Sequence, residues 1–282
     1  MPVISIVRPM RWTMPAALLL LGACHSQGAE QHDPNVFSWS GSVPAAGSVH
    51  VRSLNGPIEV KPSRDSAVHV TVGARWRRGN PKRDLQFQVA SAGNSVTVCV
   101  IWGKGACTDQ NYTMKNPGIL KMGNGNSGTD ATAIITVEVP ARVRVDAFTA
   151  NGDINITATA PVHVINVNGN VTVATAVGPV DALTVNGNVD VRMTTLGDTG
   201  TVRAETVSGS AVAYVPATID GDFTLKVMNG RLTNDFGAAL DANAKSQTGT
   251  LGKGGRTITV KALTGSASLR RLNADGTPMA NP

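Results

Sequence analysis

The chain predicts an all-β solenoid, a coil in which rungs of 17–22 residues stack on one another. Three observations carry this. First, a turn of Asn-Gly type recurs at Gly56, Gly152, Gly169, Gly187, Gly209, Gly230, Gly249 and Gly265, with intervals from Gly152 of 17, 18, 22, 21, 19 and 16 residues. Second, residues at fixed offsets from that glycine form apolar columns. Seven before it stand Val145, Val162, Val180, Val202, Phe223 and Ile258, and five before it Ala147, Val164, Ala182, Ala204, Leu225 and Val260. Two and four after it stand pairs such as Ile154 and Ile156, or Val171 and Val173, so the apolar residues alternate with polar ones at period two. Third, the chain has Gly 30 and Pro 15 but only Trp 4, Tyr 2 and Phe 5, which suits a narrow aliphatic interior and excludes a helical bundle. With 41% hydrophobic and 16% charged residues it is not a disordered chain.

Residues 1–23 form a leader. Arg8 and Arg11 make it positive, and residues 14–21 (MPAALLLL) are apolar but too short to span a bilayer. Leu21-Gly22-Ala23-Cys24 resembles the bacterial lipobox. The resemblance implies cleavage before Cys24, a diacylglycerol on its sulfur and an acylated, palmitate-type N-terminus. His25 follows in place of the aspartate that retains lipoproteins at the inner membrane, which implies an outer-membrane anchor facing the periplasm or the cell surface. An ordinary signal peptide with a chance cysteine is the alternative. Residues 24–35 are polar, without pattern, and read as a flexible tether.

Residues 36–130 read as an N-terminal β region. Residues 48–60 match one rung, and 68–72 and 95–101 alternate as strands. Cys99 and Cys107 in an exported chain predict a disulfide worth roughly 2–3 kcal/mol through loop closure. Seven residues separate them, which is not the spacing of a redox or metal C-x-x-C pair. Residues 123–128 (GNGNSG) read as a loop.

Residues 131–270 hold the regular rungs, seven of them in a rod of roughly 30 Å. Ala150, Val167, Val185, Val207, Met228 and Leu263, two before the glycine, are apolar and read as inward. The odd step from five before to two before then requires a bend. Asn151, Asn168, Asn186 and Asn229 read as a stacked amide ladder, with a cation site as the alternative. Rung-length variation collects at one edge, for example residues 193–200, where a repeat array often binds. Residues 271–282 read as a disordered tail.

Residues 47–60 (GSVHVRSLNGPIEV), 150–156 (ANGDINI) and 167–173 (VNGNVTV) resemble the bacterial "putative adhesin" repeat family of unknown function, which includes LiaG-like envelope proteins. The resemblance covers about residues 36–270. It implies a right-handed β-helix-like fold and no catalytic residues. The lipobox and the Cys99/Cys107 loop are not part of the shared motif.

Chemistry is sparse in the sequence. The sharpest cluster is Arg75, Trp76, Arg77, Arg78, Lys82 and Arg83, a candidate patch for an anionic glycan, a lipopolysaccharide phosphate or a membrane surface, or else a solvated hairpin. The Cys99–Cys107 loop carries Trp102 and Lys104, and Tyr112 follows it; these could stack on sugar or cover an open end of the coil, and the covering role is favoured. His50, His69 and His163 read as outward strand residues on separate rungs rather than a metal site. The acids are scattered, and no G-x-S-x-G, H-E-x-x-H or phosphate-loop motif occurs. The expectation is a non-enzymatic, lipid-anchored envelope protein, adhesin-like or scaffold, with a glycan or envelope protein as ligand, no cofactor and no metal. Of the whole chain's 25 basic residues two leave with the leader, against 19 acidic, so the mature charge is about +4 and does not call for nucleic acid. A carbohydrate-active enzyme on a β-helix and an accessory in envelope-stress sensing are the alternatives.

Overall fold

The computed structural model describes residues 29–103, 105–108, 112–114, 129–158, 160–175, 177–194, 200–237, 243–273 and 276–279. The leader with Cys24, Lys104, the loop 123–128 and most of 193–200 lie outside the described residues.

The described chain is all-β. It begins with β1 (Gln31–Ser42), β2 (Ser48–Arg52), β3 (Ile58–Pro62) and β4 (Ala67–Trp76). A single turn of helix, α1 (Pro81–Asp84), leads to β5 (Leu85–Ala92), β6 (Ser95–Trp102), and the short β7 (Gly105–Cys107) and β8 (Tyr112–Met114). Then come β9 (Thr132–Val139), β10 (Arg144–Asn151), β11 (Ile154–Ala158), β12 (Val162–Asn168), β13 (Val171–Thr175), β14 (Val180–Asn186) and β15 (Val189–Met193). The last strands, β16 (Val202–Pro216), β17 (Gly221–Asn234) and β19 (Thr257–Leu272), run unbroken through their glycine bend, while β18 (Ser246–Leu251) is a shorter strand between them.

Each rung is a strand, a glycine bend and a second strand, and the rungs stack in parallel with matching glycines in register. The first strands stack in the order β6, β2, β10, β12, β14, β16, β19, β17. The second strands stack as β9, β3, β11, β13, β15, then the C-terminal halves of β16, β19 and β17. The columns seven and five before the glycine, and two and four after it, line one continuous aliphatic core.

Spatial order departs from chain order at both ends. The first complete rung in sequence, β2–β3, lies between β6/β9 and β10–β11. The last, β19, slips between β16 and β17. Each terminal rung thus has a parallel partner on both sides. The outermost rungs are closed by antiparallel strands: β5 on β6, β4 and then β1 on β9, and β18 on β17. Antiparallel cover of this kind keeps a stacking edge from templating another chain. It also reassigns Thr248-Gly249, which the spacing marked as a rung turn. Gly249 lies in β18, antiparallel to β17, against the Phe223 ring.

Two segments expected to be unstructured are paired. Residues 31–33 of the expected tether begin β1 and register with β4. In the expected tail, Pro278 bridges to Leu272 and the Met279 amide donates to the Arg271 carbonyl.

The column two before the glycine also departs from expectation. It faces outward: Val185, Val207, Leu263 and Met228 are 40%, 41%, 45% and 59% exposed. The inward residue is the one before it, and there the chain places Thr149, Asn166, Thr184 and Thr206. Period-two alternation therefore continues to the bend. The buried polar groups have a purpose, because the bend leaves glycine carbonyls facing the core. Thr149 donates to the Gly56 carbonyl at 3.2 Å, Asn166 to Gly152 at 2.8 Å, Thr184 to Gly169 at 3.0 Å and Thr206 to Gly187 at 2.8 Å. Replacing Thr184 with valine keeps the volume and the β-branch but leaves a buried carbonyl one donor short, so a loss of about 1–2 kcal/mol is expected in urea unfolding. An unchanged midpoint would show that the carbonyl is satisfied without the hydroxyl.

Candidate functional site

The sequence-predicted basic cluster forms one corner. β4 ends in Arg75 and Trp76, the chain turns through Arg77 and Arg78, and Asn80 caps α1 by accepting from the Lys82 amide at 3.0 Å. Acids are built into this stretch. Lys82 Nζ meets Asp33 at 2.8 Å, Arg83 meets Asp84 at 2.8 Å, and Asp130 accepts from the backbone amides of Arg77 and Arg78 at 2.9 Å each. Burial raises the Asp130 pKa, but the Arg78 and Arg77 amides outweigh it and hold the carboxyl below its usual range. Five cations against three carboxylates leave a modest positive field.

The aromatic members separate. Trp76 is half-buried against the core. Trp102 is 8% exposed, packs in the core and donates to the Ala131 carbonyl at 3.4 Å, so it is no part of a ligand patch. Its position at the end of β6 alternates with Cys99 and Ile101, which face the other side of the strand.

Cys99 and Cys107 form the predicted disulfide, with Cα atoms 6.3 Å apart. The β7–β8 hairpin it secures lies over the outer side of β6, where Tyr112 packs against Cys99, Ile101 and Cys107 and donates to the Val100 carbonyl at 2.8 Å. Burial pushes the Tyr112 phenol up. The loop therefore covers part of a sheet face rather than the end of the stack.

The most organised polar feature was not singled out by the sequence reading. Six before the glycine, on the outer face of the first-strand sheet, the in-register column runs His50, Asp146, His163, Asp181, Arg203. Basic and acidic residues alternate rung by rung. Asp146 is its centre: Arg52 Nη1 lies at 2.8 Å, and His50 Nδ1 and His163 Nδ1 each at 3.4 Å. His163 Nε2 reaches Asp181 at 3.9 Å, and Arg203 lies 3.6 Å from Asp181 and 2.8 Å from Glu205. So His50 and His163 do converge, one rung apart on either side of Asp146, while His69 pairs separately with Asp65 at 2.9 Å. The column lies among the polar positions between the aligned apolar ones, and it is the order of charge along it, not its polarity, that the isolated Val-His-Val motifs leave undisplayed.

Burial raises the Asp146 pKa, but hydrogen bonds from His163, His50 and Arg52 hold the carboxyl far below the usual range. The His163 imidazole is raised, chiefly by its hydrogen bond to Asp146. Its stabilisation is therefore complete below the ordinary value of 6.5 and is lost as pH rises through the raised folded value. His163→Gln is expected to cost less than about 1 kcal/mol near pH 6 and nothing at pH 9, since the ring is partly exposed. A pH-independent difference in melting between the two proteins would contradict this.

This ladder also bears on catalysis. Asp146 and Asp181 share a face, as a glycosidase would require, but an acid catalyst must hold its proton near neutral pH. Asp146 is driven the opposite way. Elsewhere Asp190 holds Arg192 at 3.0 Å, Asp220 accepts from the Lys253 amide and Asp222 from the Gly255 amide. Among the described residues no group of three or more His, Cys, Asp or Glu could hold a metal ion, and no helix is long and apolar enough to cross a membrane. Three of the four expected asparagines form the amide ladder, Asn168 donating to Asn151 at 3.0 Å and Asn186 to Asn168 at 2.8 Å; Asn229 registers with Thr264 and stands apart from it.

No family model matches the chain, and no curated protein matches it. Several solved structures are similar. A "putative cell adhesion protein" from Clostridium sporogenes ATCC 15579 aligns with a TM-score of 0.47 and 12% identity over 85% of this chain and 100% of its own. A "putative adhesin" from Bacteroides fragilis NCTC 9343 gives 0.34 and 11% over 84% and 96%. A "putative lipid binding protein" from Parabacteroides distasonis ATCC 8503 gives 0.29 and 10% over 84% and 96%. At these values the likeness fixes neither the arrangement of this chain nor its role.

Proposed function

We propose that the protein is a non-enzymatic, lipid-anchored component of a bacterial cell envelope, a right-handed β-solenoid acting as an adhesin-like or scaffold module. The observation that carries the non-enzymatic reading is the fate of the acids. Asp146, Asp181, Asp190 and Glu205 on the rungs each meet a cation of the same or a neighbouring rung, and Asp220 and Asp222 brace the turn after β18. Carboxylates committed to cations and turn amides are poorly placed to exchange protons with a substrate. The solenoid reading is supported by parallel, in-register stacking on a glycine column. The anchor rests on the lipobox-like residues at Cys24, and the ligand-facing corner rests on Arg75, Arg77 and Arg78 beside Trp76, where an anionic envelope glycan or protein surface would dock.

Protease treatment of intact cells, with permeabilised cells as the control, tests this directly. Digestion on intact cells is expected for the adhesin-like role, and protection until permeabilisation for the scaffold role. Release of oligosaccharides from envelope polysaccharide by the purified protein would overturn both. Mass spectrometry of the N-terminal peptide is expected to show acylated Cys24; an unmodified cysteine would remove the anchor.

A further inference from the structure

The outward column two before the glycine forms an apolar stripe. By register its order along the stack is Ala150, Val167, Val185, Val207, Leu263, Met228. Ile165, 38% exposed, sits beside it one column away. Five of the seven exposed large hydrophobic residues among those described fall on this one sheet face, Val177 and Met279 being the others. Scattered apolar residues on a surface are ordinary, but a contiguous row of them marks an interface.

We propose that a second copy of this chain packs on this stripe, face to face, about a twofold axis that runs along the strands between the rungs of Val185 and Val207. Three features favour a second copy over another occupant. First, the row is graded in size, and reversing it is self-complementary: Ala150 then faces Met228, Val167 faces Leu263, and Val185 faces Val207. A twofold contact needs such a patch, since each residue meets its counterpart's partner twice. Second, the same operation pairs opposite charges in the outer column, while, one column in, it sets Ile165 against Lys261 and Leu183 against Glu205. It sets Asp181 of each copy against Arg203 of the other, adjacent members of the alternating column. It also sets the half-buried Phe148 against Lys226, a ring facing an ammonium. Third, the area is adequate. Six rungs at about 4.8 Å and six strand residues at about 3.3 Å give roughly 500–600 Å² per copy. The total of about 1,100 Å² is just above the roughly 1,000 Å² expected of a specific interface, so the dimer is reversible. Sheets packed this way align their strands within about 30° and lie about 10 Å apart.

The test uses the full chain in mild detergent, with mass read by light scattering over a dilution series. The expected result is a mass moving from one chain to two as concentration rises. Val207→Asp is expected to abolish the two-chain species while leaving the melting midpoint unchanged, because the side chain is exposed in the single chain. A mixture of Val185→Cys and Val207→Cys chains is expected to be joined by a short bis-maleimide, which spans the gap of about 10 Å between facing sheets that a disulfide cannot bridge. Asn155→Cys, on the exposed outer side of β11 in the other sheet, is the control and is expected not to cross-link. A one-chain mass at every concentration would overturn the proposal. So would a dimer that survives Val207→Asp, or one that cross-links through Asn155→Cys as readily as through the 185/207 pair. Flotation of a one-chain species with phosphatidylglycerol vesicles, abolished by Val207→Asp, would also overturn it and give the stripe to a membrane. None of these outcomes depends on whether the protein serves as adhesin or scaffold.

Discussion

Replacing Gly187 with alanine is expected to remove a large share of the protein's folding stability. Seven bend glycines, from Gly56 to Gly265, take φ values between 127° and 156°, a region that side chains bearing a Cβ rarely enter. That conformation alone costs a non-glycine residue about 1–3 kcal/mol. The second cost comes from stacking. A methyl on Gly187 would point into the Gly169 carbonyl, on Gly169 into the Gly152 carbonyl, and on Gly209 into the Gly187 carbonyl. These are backbone atoms one rung away, held by ladder bonds on both sides, and they cannot step aside as a flexible side chain can. The Gly169 carbonyl is in addition the acceptor for Thr184, so moving it disturbs a buried hydrogen bond. The combined loss is expected to be about 3–5 kcal/mol, at the upper end for a single substitution. Against a typical total of roughly 5–15 kcal/mol, much of the sample would unfold in mild denaturant. Gly93→Ala separates the two causes. Gly93 also has a positive φ, 57°, but nothing lies within 4 Å of the position its Cβ would take. It is expected to lose only about 1 kcal/mol. Equal losses at the two sites, measured by urea unfolding, would show that the carbonyl contact contributes nothing.

The same steric demand explains why the rungs are visible in the sequence at all. A position that admits only glycine leaves a mark, and the alternating valines and alanines beside it leave another. The disulfide and the core columns on both sides of the bend are legible for comparable reasons, because each rests on local spacing. What the sequence does not display is pairing between rungs. Near-identical rungs offer near-identical partners, so nothing local says that β19 enters between β16 and β17, or that β2–β3 lies inside β6/β9. Gly249 imitates a bend because glycine also serves where a ring such as Phe223 needs room. The stripe of Val185, Val207, Leu263 and Met228 misleads for a different reason. Apolar residues imply an interior only when the polar alternatives are outside, and here Thr184 and Thr206 are drawn inward by glycine carbonyls. Of the candidate site, the cations of the corner are legible, but their acids come from distant sequence, Asp33 and Asp130 among them, so the true charge of the corner is not.

Asp146→Ala is expected to be the most damaging substitution of a polar side chain on the outer face. Arg52 is only 7% exposed, and its Nη1 rests 2.8 Å from the Asp146 carboxylate, with the Asp146 and Val51 carbonyls at 3.1 and 3.3 Å. Carbonyls satisfy hydrogen bonds but do not neutralise charge. Removing the carboxylate takes the anion at 2.8 Å away from a nearly buried guanidinium, a defect that typically costs about 3 kcal/mol or more. His50 and His163 lose their shared acceptor at the same time, and three stacked rungs lose the group that ties them. The pH dependence follows from the two shifts. Asp146 has a folded pKa far below its ordinary 3.8, so its contribution is complete above that ordinary value and shrinks as pH falls towards the folded one. His163 is raised, so its share is complete below 6.5 and fades at higher pH. The difference between the wild-type protein and Asp146→Ala is thus expected to be widest between about pH 4 and 6.5, narrower at pH 9 and narrowest in strong acid. Changing both partners should hurt less than changing one, because an apolar pair leaves no buried charge. Arg52→Leu combined with Asp146→Leu is expected to recover at least about 1 kcal/mol relative to Asp146→Ala. If the double variant is no more stable than the single one, the rungs are held at this point by the packing of the Arg52 stem, and the ladder of alternating charge is a consequence of the stack rather than one of its supports.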